Sequence, residues 1–368
     1  MGLESASTVA VETRSVVWEG PGRPNPGAPV TDAPPGAALS DSRYAVGFGV
    51  LAVIAAAFVG YAAIRFPVVN ITLDPVLQGG DMTHWQIAAA GFGIVAAFDS
   101  LAIWMVLRSR RRPAFADAVG ADRGATREPR FRSPLVIQFL PVWAVAFTAL
   151  VSIGVLQGAK FLGLPLWQQV LGILIVWTPL LVVEEVWKHR YYGFFAVFLG
   201  LAVLQVGHLA EHTVQVSQLI ANHGDLTHSH GVFGQLDFET VHFVWDTLIW
   251  FSAAYLVYRF RANPWLWVSF VAASWHQVEH FYLFTINKMD YGFWAHGGIA
   301  GVMGKGGLLG SPLARPYLHF VYNFLVVVPM VIALLQETKR VRDRQSIATT
   351  YVNVDAQLPA DGERLGLP

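Results

Sequence analysis

The chain is predicted to fold as an all-α integral membrane protein with about eight transmembrane helices. Three observations predict it. Of the 368 residues, 54% are hydrophobic and only 14% charged, whereas a soluble domain carries about a quarter charged residues. Mean hydropathy is +0.45. The apolar residues also fall into eight stretches, and basic clusters punctuate every second connection between them.

Taking about 20 apolar residues per crossing places the helices at roughly 44–66, 85–107, 135–160, 165–187, 192–220, 241–260, 264–287 and 316–336. The third and fourth are joined by the short "GAKFLGLP" turn, so a re-entrant pair is the alternative there. Residues 1–42, rich in Pro, Gly, Ala and small polar residues, read as a disordered cytoplasmic tail with no signal-peptide pattern. Residues 43–340 form the transmembrane domain, and 341–368 a second cytoplasmic tail. "RSRRRP", "WKHR", "YRFRANP" and "KRVRDR" follow spans two, four, six and eight, so the positive-inside rule puts both termini in the cytoplasm. A cell-membrane, multi-pass location follows, with membrane lipids as the first partners.

Composition also excludes chemistry. There is no cysteine, which removes disulfides, thiolate metal sites and cysteine nucleophiles. A formal net charge of zero gives no electrostatic footprint for nucleic acid. Nothing in the sequence speaks to oligomeric state.

The chain has 12 histidines, and with this orientation all but His189 fall in the outer half of the predicted bundle. Two pairs of segments match. "GHLAEHTVQ" in span five and "SWHQVEHFY" in span seven both read His-x-x-Glu-His. "VHFVWDTLIW" in span six and "LHFVYNFLVV" in span eight both read His-Phe-Val-aromatic-Asp/Asn. Spans five–six and seven–eight thus form a parallel internal repeat, 192–260 and 264–337, whose pseudo-two-fold axis would lie along the membrane normal.

Histidines four residues apart share a helix face about one turn apart, close enough for both imidazoles to reach one ion. His208 and His212, with His276 and His280, are therefore candidate metal ligands, and His242 and His319 enter at the same depth from the returning helices. The intervening Glu211 and Glu279 are candidate catalytic bases, bridging ligands or supports for a ligand ring. Asp246 and Asn323, one turn past His242 and His319, are expected behind the ligands, as is His84. An ionisable residue inside a membrane is costly and needs a partner or a function. The roles of His223, His228, His230 and His296 in the outer loops stay open, and "HGGIAGVMGKGGLLGSP" reads as a flexible lid.

Imidazole with carboxylate suits copper, iron and zinc. An extracytoplasmic, histidine-rich setting points first to copper, then iron or zinc. The residue types resemble those of the integral-membrane histidine-box oxygenases, the fatty acid desaturases and alkane hydroxylases. An outer-leaflet site of Asp and His is similar to that of the membrane copper monooxygenases. The His-His doublets of the first are missing, and no motif of the second matches residue by residue, so no family is assigned. The expected function is a membrane metalloprotein oxidoreductase, oxygenase- or oxidase-like, with a mono- or dinuclear His/Glu site acting on an apolar or lipid-like substrate. A metal-dependent lipid hydrolase, a copper or zinc transporter or metal-handling protein, and a haem cytochrome are the alternatives.

The orientation is testable directly. A cysteine placed at His228 should react with a membrane-impermeant maleimide in intact cells, and one placed at Arg111 should not. The reverse labelling pattern would put the histidines on the cytoplasmic side.

Overall fold

The computed structural model describes residues 42–67, 82–108, 137, 139–192, 194–234, 239–286, 301–305 and 307–357. Among them are eight α-helices and no strand: α1 (Ser42–Arg65), α2 (Met82–Arg108), α3 (Val142–Phe161), α4 (Leu166–Tyr192), α5 (Phe194–Ala221), α6 (Glu239–Arg259), α7 (Pro264–Ile286) and α8 (Arg315–Gln357). Each coincides with a predicted span. α3 and α4 are two full helices rather than a re-entrant pair. The expected N-terminal tail falls almost wholly outside the described residues. At the other end α8 continues without a break to Gln357, into the segment read as the second tail.

Seven of the eight helices are long and apolar enough to cross a membrane, with windows of 20 to 27 residues. The exception is α7, which is 23 residues long but carries Ser269, Ser274, His276, Gln277, Glu279 and His280. All six of these side chains are buried. α7 therefore needs no apolar exterior, because its neighbours supply one. It packs along α6, α8 and α2, and its polar groups meet those neighbours rather than lipid.

Hydrogen bonds pin α7 along its length. Asn263 Oδ1 accepts the amide of Trp265 at 3.0 Å, capping a helix whose first residue, Pro264, has no amide to satisfy. Asn263 Nδ2 donates to Glu337 Oε1 on α8 at 2.9 Å. Higher up, Ser269 Oγ donates to the Val326 carbonyl at 2.8 Å. Trp275 Nε1 donates to the Tyr322 hydroxyl at 3.0 Å. On the other flank Trp250 Nε1 of α6 lies 3.2 Å from Ser274 Oγ and 3.1 Å from Asp99 Oδ1 of α2.

The four histidine-bearing helices form an arc. α5 leans on α8, α8 on α7 and α7 on α6, whereas α5 and α6, the ends of the arc, barely touch. α1 covers the α5–α8 side through Val59 and Ala62 against Val216, Leu219 and Phe320. The Tyr317 hydroxyl locks it there by donating to the Phe66 carbonyl at 2.6 Å. The α3–α4 hairpin hangs on α5 through α4, with Trp143, Phe147 and Leu150 outermost.

Candidate metal centre

The helical spacing of four delivers each pair of side chains to the concave side of the arc. His208 and His212 come from α5, His242 and Asp246 from α6, His276 and His280 from α7, and His319 from α8. The six imidazoles converge. His319 is their hub, with ring centroids 6.2, 4.1, 5.2, 4.8 and 5.2 Å from His208, His212, His242, His276 and His280. Two sets of donor atoms result, His208–His212–His242–His319 and Asp246–His276–His280–His319. Within each set the donor atoms lie within 4.8 Å of one another.

The ring nitrogens are oriented as ligands would be. His280 Nδ1 lies 2.8 Å from Glu239 Oε1, which leaves its Nε2 facing inward, 2.9 Å from His276 Nε2 and 2.9 Å from Asp246 Oδ2. His212 Nδ1 meets Gln215 Oε1 at 3.3 Å, and its Nε2 faces His208 Nε2, also at 3.3 Å. A carboxylate or amide behind the outer nitrogen is the usual way a protein sets a ligand ring's tautomer and direction. His319 Nε2 is buried and has no hydrogen-bond partner among the described residues. A buried polar atom without a partner costs free energy, and a metal ion is the partner that inward-facing imidazole lone pairs suit best. The donor set therefore fits a transition metal.

Charge points the same way. Asp246, Glu239 and Glu279 are buried beside the rings with one guanidinium, Arg315. Arg315 lies 3.7 Å from Glu239 and 3.9 Å from Glu279. Three carboxylates against one cation leave two formal negative charges, so the cluster favours cations. Buried charge of this kind is strongly unfavourable unless paired.

Glu211 and Glu279 stand outside both donor sets. Each holds a loop. Glu211 Oε1 accepts the Phe233 amide at 2.7 Å. Glu279 accepts the amides of Val302 and Met303 at 2.8 and 2.7 Å, and the Tyr322 hydroxyl at 3.1 Å. The two loops share the dipeptide Gly-Val, as Gly231-Val232 and Gly301-Val302. Both glycines have left-handed backbone, φ 76 and 74, and a Cβ on either would overlap the glutamate carboxylate. Glycine is required there twice over, for conformation and for close approach. The predicted lid is thus fastened at 301–303. Behind it Lys305 N–Leu313 O, Leu309 N–Val302 O and Ser311 N–Met303 O bonds of 2.8–2.9 Å fold the loop on itself.

The remaining predicted residues separate. Asp246, expected behind the ligands, offers its carboxylate within a donor set. Asn323 Nδ2 donates to the His319 carbonyl at 3.1 Å, steadying the hub from one turn away. His84 lies in the first turn of α2, with its side chain outside the described residues, and His296 is outside them altogether. His228 Nδ1 contacts Asp225 at 2.7 Å in the capped turn Leu226–His228, and His223 packs against Phe66. Hydrogen bonds from the Thr227 hydroxyl and then His228 lower the Asp225 pKa to about 2. The cap is therefore intact above the normal carboxylate range and is lost as pH falls through about 2.

Three contributors escaped the sequence reading: Glu239, Gln215 and Arg315. Each stands three or four residues from a ligand histidine on the same helix face (Glu239 before His242, Gln215 after His212, Arg315 before His319). The spacing that found the histidines could have found them. The chain matches no known protein family, no curated protein and no solved structure.

The glutamate–glycine clasps make a prediction. Gly301→Ala and Gly231→Ala should each lower stability by at least about 1–3 kcal/mol, the cost of a left-handed non-glycine residue. Thermal unfolding in detergent measures this, and unchanged midpoints would show that the loops are not held as described.

Proposed function

We propose that the protein is a membrane-bound, metal-dependent oxidoreductase whose transition-metal centre lies on the extracytoplasmic side and acts on an apolar or lipid-like substrate. The observation that carries this reading is the convergence of six imidazoles and Asp246 around a buried, unpartnered His319 Nε2. Copper is the first expectation, then iron or zinc, because the donors are imidazole-rich and contain no thiolate. When bound, copper or iron would supply one-electron redox chemistry and the activation of dioxygen, which zinc would not.

The protein's own residues do the rest. Glu239 and Gln215 hold the rings of His280 and His212 in register. The 231–233 and 301–303 loops, fastened by Glu211 and Glu279, keep bulk water from that end of the cluster. The half-buried members of the cluster are His208 on α5 and His242 on α6, the side from which a substrate would approach. Leu204, one turn from His208 on the same face, is exposed, and Trp245 packs 5.9 Å from the His208 ring. Apolar and aromatic side chains beside these half-buried rings support an apolar substrate. The hydrolase reading would need Glu211 or Glu279 as a base, and their carboxylates are engaged by backbone amides.

One observation favours a second reading, a metal-ion transporter. Polar side chains continue from the cluster towards mid-depth. Gln277 Nε2 donates to Thr247 Oγ1 at 2.9 Å, and Trp250 joins Ser274 to Asp99.

Elemental analysis and the visible spectrum of purified protein test the proposal. Copper, or failing that iron or zinc, should co-purify. His212→Ala and His280→Ala should strip it, while His189→Ala should leave it. Oxygen uptake with a quinol as reductant should fall with the metal, and Glu239→Gln should lower it about 10–100-fold, as for a residue that orients a ligand ring. Full metal retention in both histidine variants would overturn the metal centre. Metal accumulation in vesicles that is lost in Asp99→Asn, without oxygen uptake, would favour transport.

A further inference from the structure

We infer that the centre holds two ions rather than one, in two chemically different pockets that share His319. This rests on the metal reading above and adds its stoichiometry and division of labour. Six imidazoles and one carboxylate exceed what a single ion takes, since protein sites for zinc, copper and iron use about three or four protein ligands. The donors also divide. His208, His212 and His242 form one set and Asp246, His276 and His280 the other, with His319 common to both. One ring serves two ions only as an imidazolate, through Nδ1 to one and Nε2 to the other, its N–H proton passing to solvent as the second ion binds.

The sharing is visible in the rings. The His319 ring centroid lies 4.1 Å from that of His212, tilted by 41°, and 4.8 Å from that of His276, nearly perpendicular at 74°. Apart from His319, the two sets approach through His242 and His280, whose rings lie parallel, 6° apart in plane and 5.6 Å between centroids. A single ion at the middle would need all of these rings to aim at one point. Instead the Nε2–Nε2 approaches are within pairs, His208 with His212 and His276 with His280.

The pockets differ in chemistry. The first is all imidazole, and two of its histidines, His208 and His242, are half-buried. The second has a carboxylate, is buried throughout, and lies beside the excess negative charge of Asp246, Glu239 and Glu279. The imidazole pocket suits copper. The carboxylate pocket is the better host for a harder divalent ion such as zinc or ferrous iron. The ion among the half-buried histidines is the one a substrate would meet, and the fully buried ion is the one held by charge.

Metal per protein, measured on full-length purified chain loaded with copper or with zinc and freed of loose metal by gel filtration, tests this. Wild type should carry two equivalents. His208→Ala and His242→Ala should each carry one, as should Asp246→Asn and His276→Ala, and the combined His242→Ala/Asp246→Asn variant should carry none. His319→Ala should weaken retention of both. In a copper–zinc mixture, the variants of the first pocket should lose copper preferentially. One equivalent in wild type, lost in variants of either set, would overturn the two-ion inference and leave the metal centre standing. No equivalent in wild type would overturn both. Size-exclusion profile and helical circular dichroism identify variants that fail to fold. Loss of both ions from a folded His242→Ala protein contradicts separate pockets.

Discussion

Everything in this bundle is arranged around the burial of α7. A helix bearing two histidines, a glutamate and a glutamine can stand inside an apolar protein only where each of those groups meets a partner. α6 supplies Asp246 and Glu239, α8 supplies His319, Tyr322 and Arg315, and the 301–303 loop supplies amides. The apolar helices around these make the exterior that α7 lacks. The ionic groups in the cluster are therefore interdependent. Removing Arg315 would take the nearby guanidinium from the Glu239 and Glu279 carboxylates, and removing Glu239 would free the His280 ring to turn.

Pairing accounts for most of these groups but not for all. The hub imidazole keeps a buried nitrogen without a hydrogen-bond partner among the described residues, and the carboxylates outnumber the guanidinium. A structural polar network would be expected to end with its donors and acceptors matched, since unmatched ones cost about 1–3 kcal/mol each. A metal centre gathers ring nitrogens to within a few Å of one another, and here the Nε2 atoms of His208 and His212 lie 3.3 Å apart and those of His276 and His280 2.9 Å apart. His280, flanked by Glu239 and Asp246, is the one ring whose surroundings would also suit a charged structural histidine.

The helices were legible because twenty-residue apolar runs are a strong signal, and α7 was found despite its polarity because its ends are marked by Asn263-Pro264 and by the return to loop composition. The histidines were legible because a spacing of four places side chains on one face whatever the tertiary structure. The glutamates of the same motif shared that face, and spacing alone could not tell a ligand from a clasp. That distinction depends on where the backbone of a loop 20 residues away returns, which local pattern does not encode. Asp246 was read as a support for the same reason: its depth followed from the sequence, but its approach to His280 depends on how α6 rolls against α7. The continuation of α8 past residue 340 was missed because hydropathy ends there and the β-branched residues that follow, such as Thr349, Thr350 and Val352, are weak helix formers.

X-ray absorption at the edge of the bound metal tests the central claim most directly, because it reads the donor atoms themselves. The account predicts nitrogen scatterers at about 2.0–2.1 Å with the outer-ring scattering of several imidazoles, diminished in His212→Ala and in His280→Ala. A spectrum of oxygen donors without imidazole scattering, unchanged in either variant, would contradict it.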